Sequence, residues 1–114
     1  KHVAVTGSIE GTGGIGKTTL ALKYANEYQS DYRLIYFMPA NSSQIIKNGL
    51  LELADNIEVP KSEKDEERLQ WLKTMLERSG KKYLLILDGM DKQKSFNEIE
   101  EYLPETGGHV LITS

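Results

Sequence analysis

Short apolar runs and helix-period segments take turns along the chain. His2-Val3-Ala4-Val5-Thr6 predicts a strand. From Lys17 to about Tyr28, Leu20, Ala21, Tyr24, Ala25 and Tyr28 recur at helical spacing and predict one apolar helix face. Leu34-Ile35-Tyr36-Phe37-Met38 is an unbroken apolar run, as expected of a strand covered on both faces, and Pro39 ends it. Asn41 or Ser42 can cap the next helix, in which Ile46, Leu50, Leu53 and Ile57 share a face. Gly49 inside that helix costs about 1 kcal/mol relative to alanine, and Val59-Pro60 stops it.

Lys61 to Arg68 is charged and reads as a solvated linker and helix start. Leu69, Leu72, Met75 and Leu76 then form a helix face that Ser79-Gly80 terminates, with Trp71 as a packing anchor. Tyr83-Leu84-Leu85-Ile86-Leu87 predicts a second fully buried strand, ending abruptly in Asp88. Ser95-Phe96-Asn97-Glu98 has the spacing of a capping box opening a short helix through Leu103. Pro104 and Gly107-Gly108 break the chain before a last strand, Val110 to Thr113. Strands alternating with helices predict an α/β fold, a parallel sheet with helices on both faces.

Composition narrows the function. The 114 residues suit one domain, 1–114, with a single core. A formal net charge of -3 argues against a nucleic-acid partner bound through its phosphates. The chain has no cysteine, which excludes disulfides, thiol catalysis and thiolate zinc sites and fits a cytoplasmic location. No apolar run approaches the roughly 18 residues of a membrane span, and Lys1-His2 opens no signal peptide. Beginning at the edge of one strand and stopping just after another, the chain is expected to be a piece of a longer multidomain protein.

The chemistry concentrates in two places. Gly11-Thr12-Gly13-Gly14-Ile15-Gly16-Lys17-Thr18 matches G-x-x-x-x-G-K-[ST], between a strand and an amphipathic helix. The glycines let successive backbone N–H groups turn inward at phosphate oxygens, and the helix start adds its own unpaired donors. In such a loop Lys17 reaches the β- and γ-phosphates, Thr18 places its hydroxyl on Mg²⁺, and Thr19 bonds near the α-phosphate. The second place is Asp88. A carboxylate ending five apolar residues is costly unless something uses it. In parallel α/β sheets ligands gather at the carboxyl ends of the strands, so Asp88 is expected on the rim of the phosphate loop, holding the same Mg²⁺. Asp91 is either the group that orients the attacking water or an exposed turn residue. Thr113 and Ser114, on the same rim, either sense the γ-phosphate or are strand-end hydroxyls without a role. His2 and His109 lack partners at ligand spacing and read as structural or exposed.

With both motifs placed, the chain resembles the nucleotide-binding domain of the NB-ARC class, within the signal-transduction ATPases with numerous domains (STAND). Gly13-Gly14-Ile15-Gly16-Lys17-Thr18-Thr19-Leu20-Ala21 is similar to that family's phosphate loop (Walker A), and "KKYLLILDGMD" to its Walker B segment. "RLIYFMPANSSQI", "LLELADNIEVP" and "LPETGGHVLITS" resemble its second strand, the end of the following helix and the approach to its sensor strand. The resemblance implies a P-loop NTPase of the ASCE type, a three-layer sandwich with strand order 2-3-4-1, truncated before a fifth strand. It also implies an ATP- or ADP-binding switch with Mg²⁺ and slow hydrolysis, acting on other domains of its own chain. Nucleotide-dependent homo-oligomerisation and a place in innate immunity or programmed cell death follow from the same likeness. Two departures stand out: Ser8-Ile9-Glu10 lengthens the approach to the loop, and Gly89 stands where plant-type members carry a second acid. The competing readings are a turnover ATPase of the AAA type and an interaction module that retains ADP without hydrolysis.

Overall fold

The computed structural model describes residues 3–4, 22–80, 82–90 and 93–113. Four parallel strands form one sheet: β1 (Val3–Ala4), β2 (Leu34–Pro39), β3 (Tyr83–Asp88) and β4 (Gly108–Ile112), in the spatial order β1-β4-β3-β2. Helices connect them: α1, helical over residues 22–27, α2 (Ser43–Asn56), α3 (Asp65–Arg78) and α4 (Gln93–Ile99). A 3₁₀ turn, Glu100–Tyr102, follows α4.

The apolar run of β3 is explained by its central position. Tyr83, Leu85 and Leu87 face a large core built with Ile46, Leu50 and Leu53 of α2 and Leu69, Leu72 and Leu76 of α3. Leu84 and Ile86 face a smaller cluster with Ala25 of α1, Ile35 and Leu111. Alternate side chains of a strand point to opposite faces, so a strand covered on both sides must be apolar throughout. Burying each leucine contributes about 2 kcal/mol, which makes the α2–α3 side the main source of stability.

Local sequence explains the helix ends. The Ser42 hydroxyl accepts from the Ile45 N–H at 3.2 Å and caps α2. Its exit is a Schellman turn: Val59 N–H donates to the Ala54 carbonyl at 2.8 Å and Glu58 N–H to that of Asp55 at 3.2 Å. Glu58 takes the left-handed conformation there, φ 60°. Gly49 sits where α2 crosses β2, and a Cβ on it would lie 3.1 Å from both Cβ and Sδ of Met38. The missing side chain lets helix and sheet approach.

Several expectations are corrected. β2 is not covered on both faces: it is an edge strand of the sheet, Met38 is its one fully buried residue, and Phe37 is 39% exposed. Arg68 is not part of a solvated stretch; it is 7% exposed. Trp71 is 38% exposed and Met75 also faces outward, so Leu69, Leu72 and Leu76 anchor α3 instead. Ser95 does not open a helix: it is buried inside α4, which begins at Gln93. On α1, Ala25 is buried while Tyr24, and Tyr28 just after the helix, are exposed, their rings tilted against each other with centroids 4.7 Å apart. His109 is structural: its Nδ1 is hydrogen-bonded to the Tyr32 hydroxyl at 2.6 Å. Burial, and then the neighbouring Tyr24 hydroxyl, push the Tyr32 pKa up.

Candidate functional site

All strands of the sheet are parallel, so their carboxyl ends share one rim. Asp88 closes β3 on that rim, between Pro39 of β2 and the end of β4. The backbone around it is tightly tied. Ala40 N–H donates to the Asp88 carbonyl at 2.7 Å, and Thr113 N–H donates to the Leu87 carbonyl at 2.9 Å. The chain then turns at Gly89, φ 83°, in the region that glycine enters without steric cost. That turn aims the N–H groups of Gly89 and Met90 at the Thr113 carbonyl, at 3.1 and 2.8 Å.

The Asp88 side chain meets a partner from the adjacent strand end. The Thr113 hydroxyl donates to Asp88 Oδ1 at 2.7 Å, and the Gly89 N–H donates to that hydroxyl at 2.8 Å. Thr113 is 1% exposed, whereas Asp88 is only partly buried. Of the two sequence readings of Thr113, neither foresaw this contact. The available signal was the pairing itself: two adjacent parallel strands, one ending in a carboxylate and the other in a hydroxyl.

A partly open carboxylate at a strand end suits a hard divalent cation, which prefers oxygen ligands and keeps several waters. Among the described residues no group of three or more His, Cys, Asp or Glu could hold a metal. Asp88 by itself could supply one oxygen ligand to such a cation, whose remaining ligands would have to come from elsewhere. Gly11, Thr12, Gly13, Gly14, Ile15, Gly16, Lys17, Thr18 and Thr19, together with Asp91, Ser114, His2 and the Ser8-Ile9-Glu10 insertion, lie outside the described residues. What the fold does place is the carboxyl end of β1, which shares the rim of Asp88 through its parallel pairing with β4.

A cavity of about 320 Å³ lies at the opposite rim, where Leu34 and Tyr83 begin their strands against Ile57, Met75 and Leu76. Its walls are mostly apolar, and it is separated from Asp88 by the length of β3.

A second carboxylate, Asp55, is held by two cations at one of its oxygens. Asp55 Oδ1 accepts from Arg68 Nη1 at 2.6 Å and from Lys61 Nζ at 2.9 Å. Arg68 also donates to the carbonyls of Val59 at 2.9 Å and Pro60 at 3.2 Å. The bonds from Lys61 and then Arg68 hold the Asp55 carboxyl below its ordinary pKa.

No helix among the described residues is long and apolar enough to cross a membrane. The NB-ARC domain family matches residues 4–114. A disease resistance protein of Arabidopsis thaliana, RPP13, is 33% identical over an alignment of 119 residues, which covers 94% of this chain and 14% of that protein. The chain thus spans a small part of that relative's length. An α/β parallel sheet, a phosphate-loop sequence and a match over nearly the whole length agree: the chain belongs to the NB-ARC family, a nucleotide-binding domain of the P-loop NTPase class.

Proposed function

We propose that residues 1–114 form the nucleotide-binding domain of a larger STAND-type signalling protein in the cytoplasm. The domain binds ATP or ADP with Mg²⁺, and the bound nucleotide sets the arrangement of the other domains. The observation that carries this reading is the placement of Asp88 on the rim to which β1 also points. The Walker A sequence Gly11 to Thr18 follows β1 in the chain.

In this reading Gly11, Thr12, Gly13, Gly14, Ile15 and Gly16 give the loop its backbone donors, and the amides of Lys17, Thr18 and Thr19 extend them. The Lys17 ammonium neutralises phosphate charge. The Thr18 hydroxyl and the Asp88 carboxylate, the Walker B group, would hold the metal, which would supply positive charge against the phosphates. Asp91 orients the attacking water in a slow hydrolysis. Strand order 2-3-4-1 is the finer topology of this class, and the adjacency of β2, β3, β4 and β1 supports it. A switch of this kind works because the γ-phosphate and its metal favour one of two domain packings. The likeness to a disease resistance protein supports a role in innate immunity; a part in programmed cell death and self-association in the ATP state complete the proposal.

One observation favours a second reading, a domain that retains ADP without hydrolysing ATP. Gly89 occupies the position of the second acid in plant-type members, and its φ of 83° strains any residue with a Cβ.

Lys17→Ala tests the binding reading. Loss of one charge-assisted contact, worth about 3 kcal/mol, lowers ADP affinity about 100-fold, with an unchanged thermal melt. Native-like affinity in that variant overturns the phosphate-loop assignment.

A further inference from the structure

Thr113 is more than a strand-end hydroxyl. A threonine hydroxyl has one proton and two lone pairs. The Gly89 N–H, which can only donate, points at one lone pair at 2.8 Å and is shared with the Thr113 carbonyl at 3.1 Å. The Asp88 carboxylate, an acceptor when ionised, lies 2.7 Å away at Oδ1. These two neighbours leave the proton one place to go, toward Asp88. The hydroxyl itself cannot swing. Its β-branched side chain is stiff about χ1 and 1% exposed. Its backbone is pinned on both sides, by Leu87 through its N–H and by Gly89 and Met90 through its carbonyl.

We infer that Thr113 is a positioning residue for the metal-binding carboxylate: it grips Asp88 Oδ1 and presets the plane of the carboxylate before the nucleotide arrives. The inference rests on the reading of Asp88 as a metal ligand. It also replaces direct γ-phosphate sensing by this side chain, because a buried hydroxyl whose proton is committed to Asp88 is not offered to a phosphate. Gly89 belongs to the same device. Its left-handed φ turns its N–H onto the Thr113 hydroxyl and so orders the proton.

Preorganisation of this kind appears in the metal's share of nucleotide affinity. The measurement is ADP binding by calorimetry on the full chain, with and without Mg²⁺, for the native protein, Thr113→Val, Thr113→Ser and Asp88→Asn. Thr113→Val keeps the shape and the backbone bonds but removes the donor. It is expected to cut the Mg²⁺-dependent gain in affinity about tenfold, the equivalent of one net hydrogen bond. Thr113→Ser restores the gain, and Asp88→Asn abolishes it. Should Thr113→Val fail to fold, Thr113→Ala makes the same comparison. A full Mg²⁺ gain in the hydroxyl-free variant, with Asp88→Asn impaired, overturns the clamp and leaves the metal role of Asp88 intact. A full gain in Asp88→Asn overturns both.

A readout independent of nucleotide separates a clamp from simple packing. In the ligand-free native chain, the Thr113 hydroxyl proton is expected to exchange slowly enough to be observed, held between Gly89 and Asp88, and to be lost or shifted in Asp88→Asn. A Thr113 hydroxyl proton that exchanges freely in the native chain contradicts the coupling.

Discussion

Asp55, in the last turn of α2, and Asp88, at the end of β3, each sit at an element end that closes on a left-handed residue, Glu58 and Gly89. Both carboxylates are gripped by an element that comes later in the chain: Asp55 by Arg68 of α3, Asp88 by Thr113 at the end of β4. The grips differ in charge. Arg68 and Lys61 neutralise Asp55 and ion-pair it on the α2–α3 surface, although its side chain remains 52% exposed. Thr113 supplies a neutral donor, so this hydrogen bond orients Asp88 without itself adding a charge. The cationic grip on Asp55 fastens α2 to α3, whereas the hydroxyl on Asp88 fixes the plane of a carboxylate at the strand-end rim.

The contrast can be broken at its structural end first. Arg68→Ala removes two carbonyl hydrogen bonds and one to Asp55, and leaves the Val59 carbonyl without its donor. At about 1 kcal/mol for each carbonyl bond, chemical denaturation should show a loss of about 2 kcal/mol with nucleotide affinity nearly unchanged; an unaltered midpoint would refute the buried-clamp description. The Asp55 contribution has a defined sign in pH. Its folded pKa is depressed, so its share of stability is present above the ordinary carboxylate pKa and is lost as pH falls through the lowered value. In Arg68→Ala that acid dependence should flatten.

The two left-handed turns respond oppositely to substitution. Gly89→Ala places a Cβ at positive φ and should cost about 1 kcal/mol. The space is open enough, with Asn41 Nδ2 3.5 Å from the new atom, so backbone strain accounts for the loss. Glu58→Gly removes the same strain from the exit of α2, and a slightly smaller gain, about 0.5 kcal/mol, is expected because glycine is also more disordered when unfolded. Thermal melts of the two variants moving in the same direction would contradict the account.

These features differ in how visible they are in the sequence. The buried strand β3 and the leucine faces of α2 and α3 follow from periodicity alone, because burial is the strongest constraint on residue type; β2 is equally apolar yet is a half-exposed edge strand, a difference that only the sheet order reveals. Arg68 escaped because a run of charges reads as solvated. Yet it lies four residues before Leu72 and eight before Leu76, on the buried face, and that spacing was the signal. Ser95 escaped for a related reason: the capping-box spacing is local, whereas tertiary packing decides which turn is first. Tyr24, Tyr28 and Trp71 carry apolar bodies with polar tips, and their burial is set by neighbours that periodicity does not show. At the candidate site, Asp88 was legible as a carboxylate ending an apolar run. Its Thr113 partner lies 25 residues away and became visible only when β3 and β4 were paired.

The central claim is that a metal–nucleotide complex sits at the Asp88 end of the sheet, and a paramagnetic probe tests it directly. Tyr83 and Asp88 are separated by about 16 Å along β3, far enough to distinguish the two rims. Mn²⁺–ADP in place of Mg²⁺–ADP should broaden the amide resonances of Gly89 and Thr113 strongly and those of Tyr83 and Gly108 far less. Asp88→Asn should remove the difference. Broadening concentrated at the Tyr83 rim, or equal at both, would contradict the account.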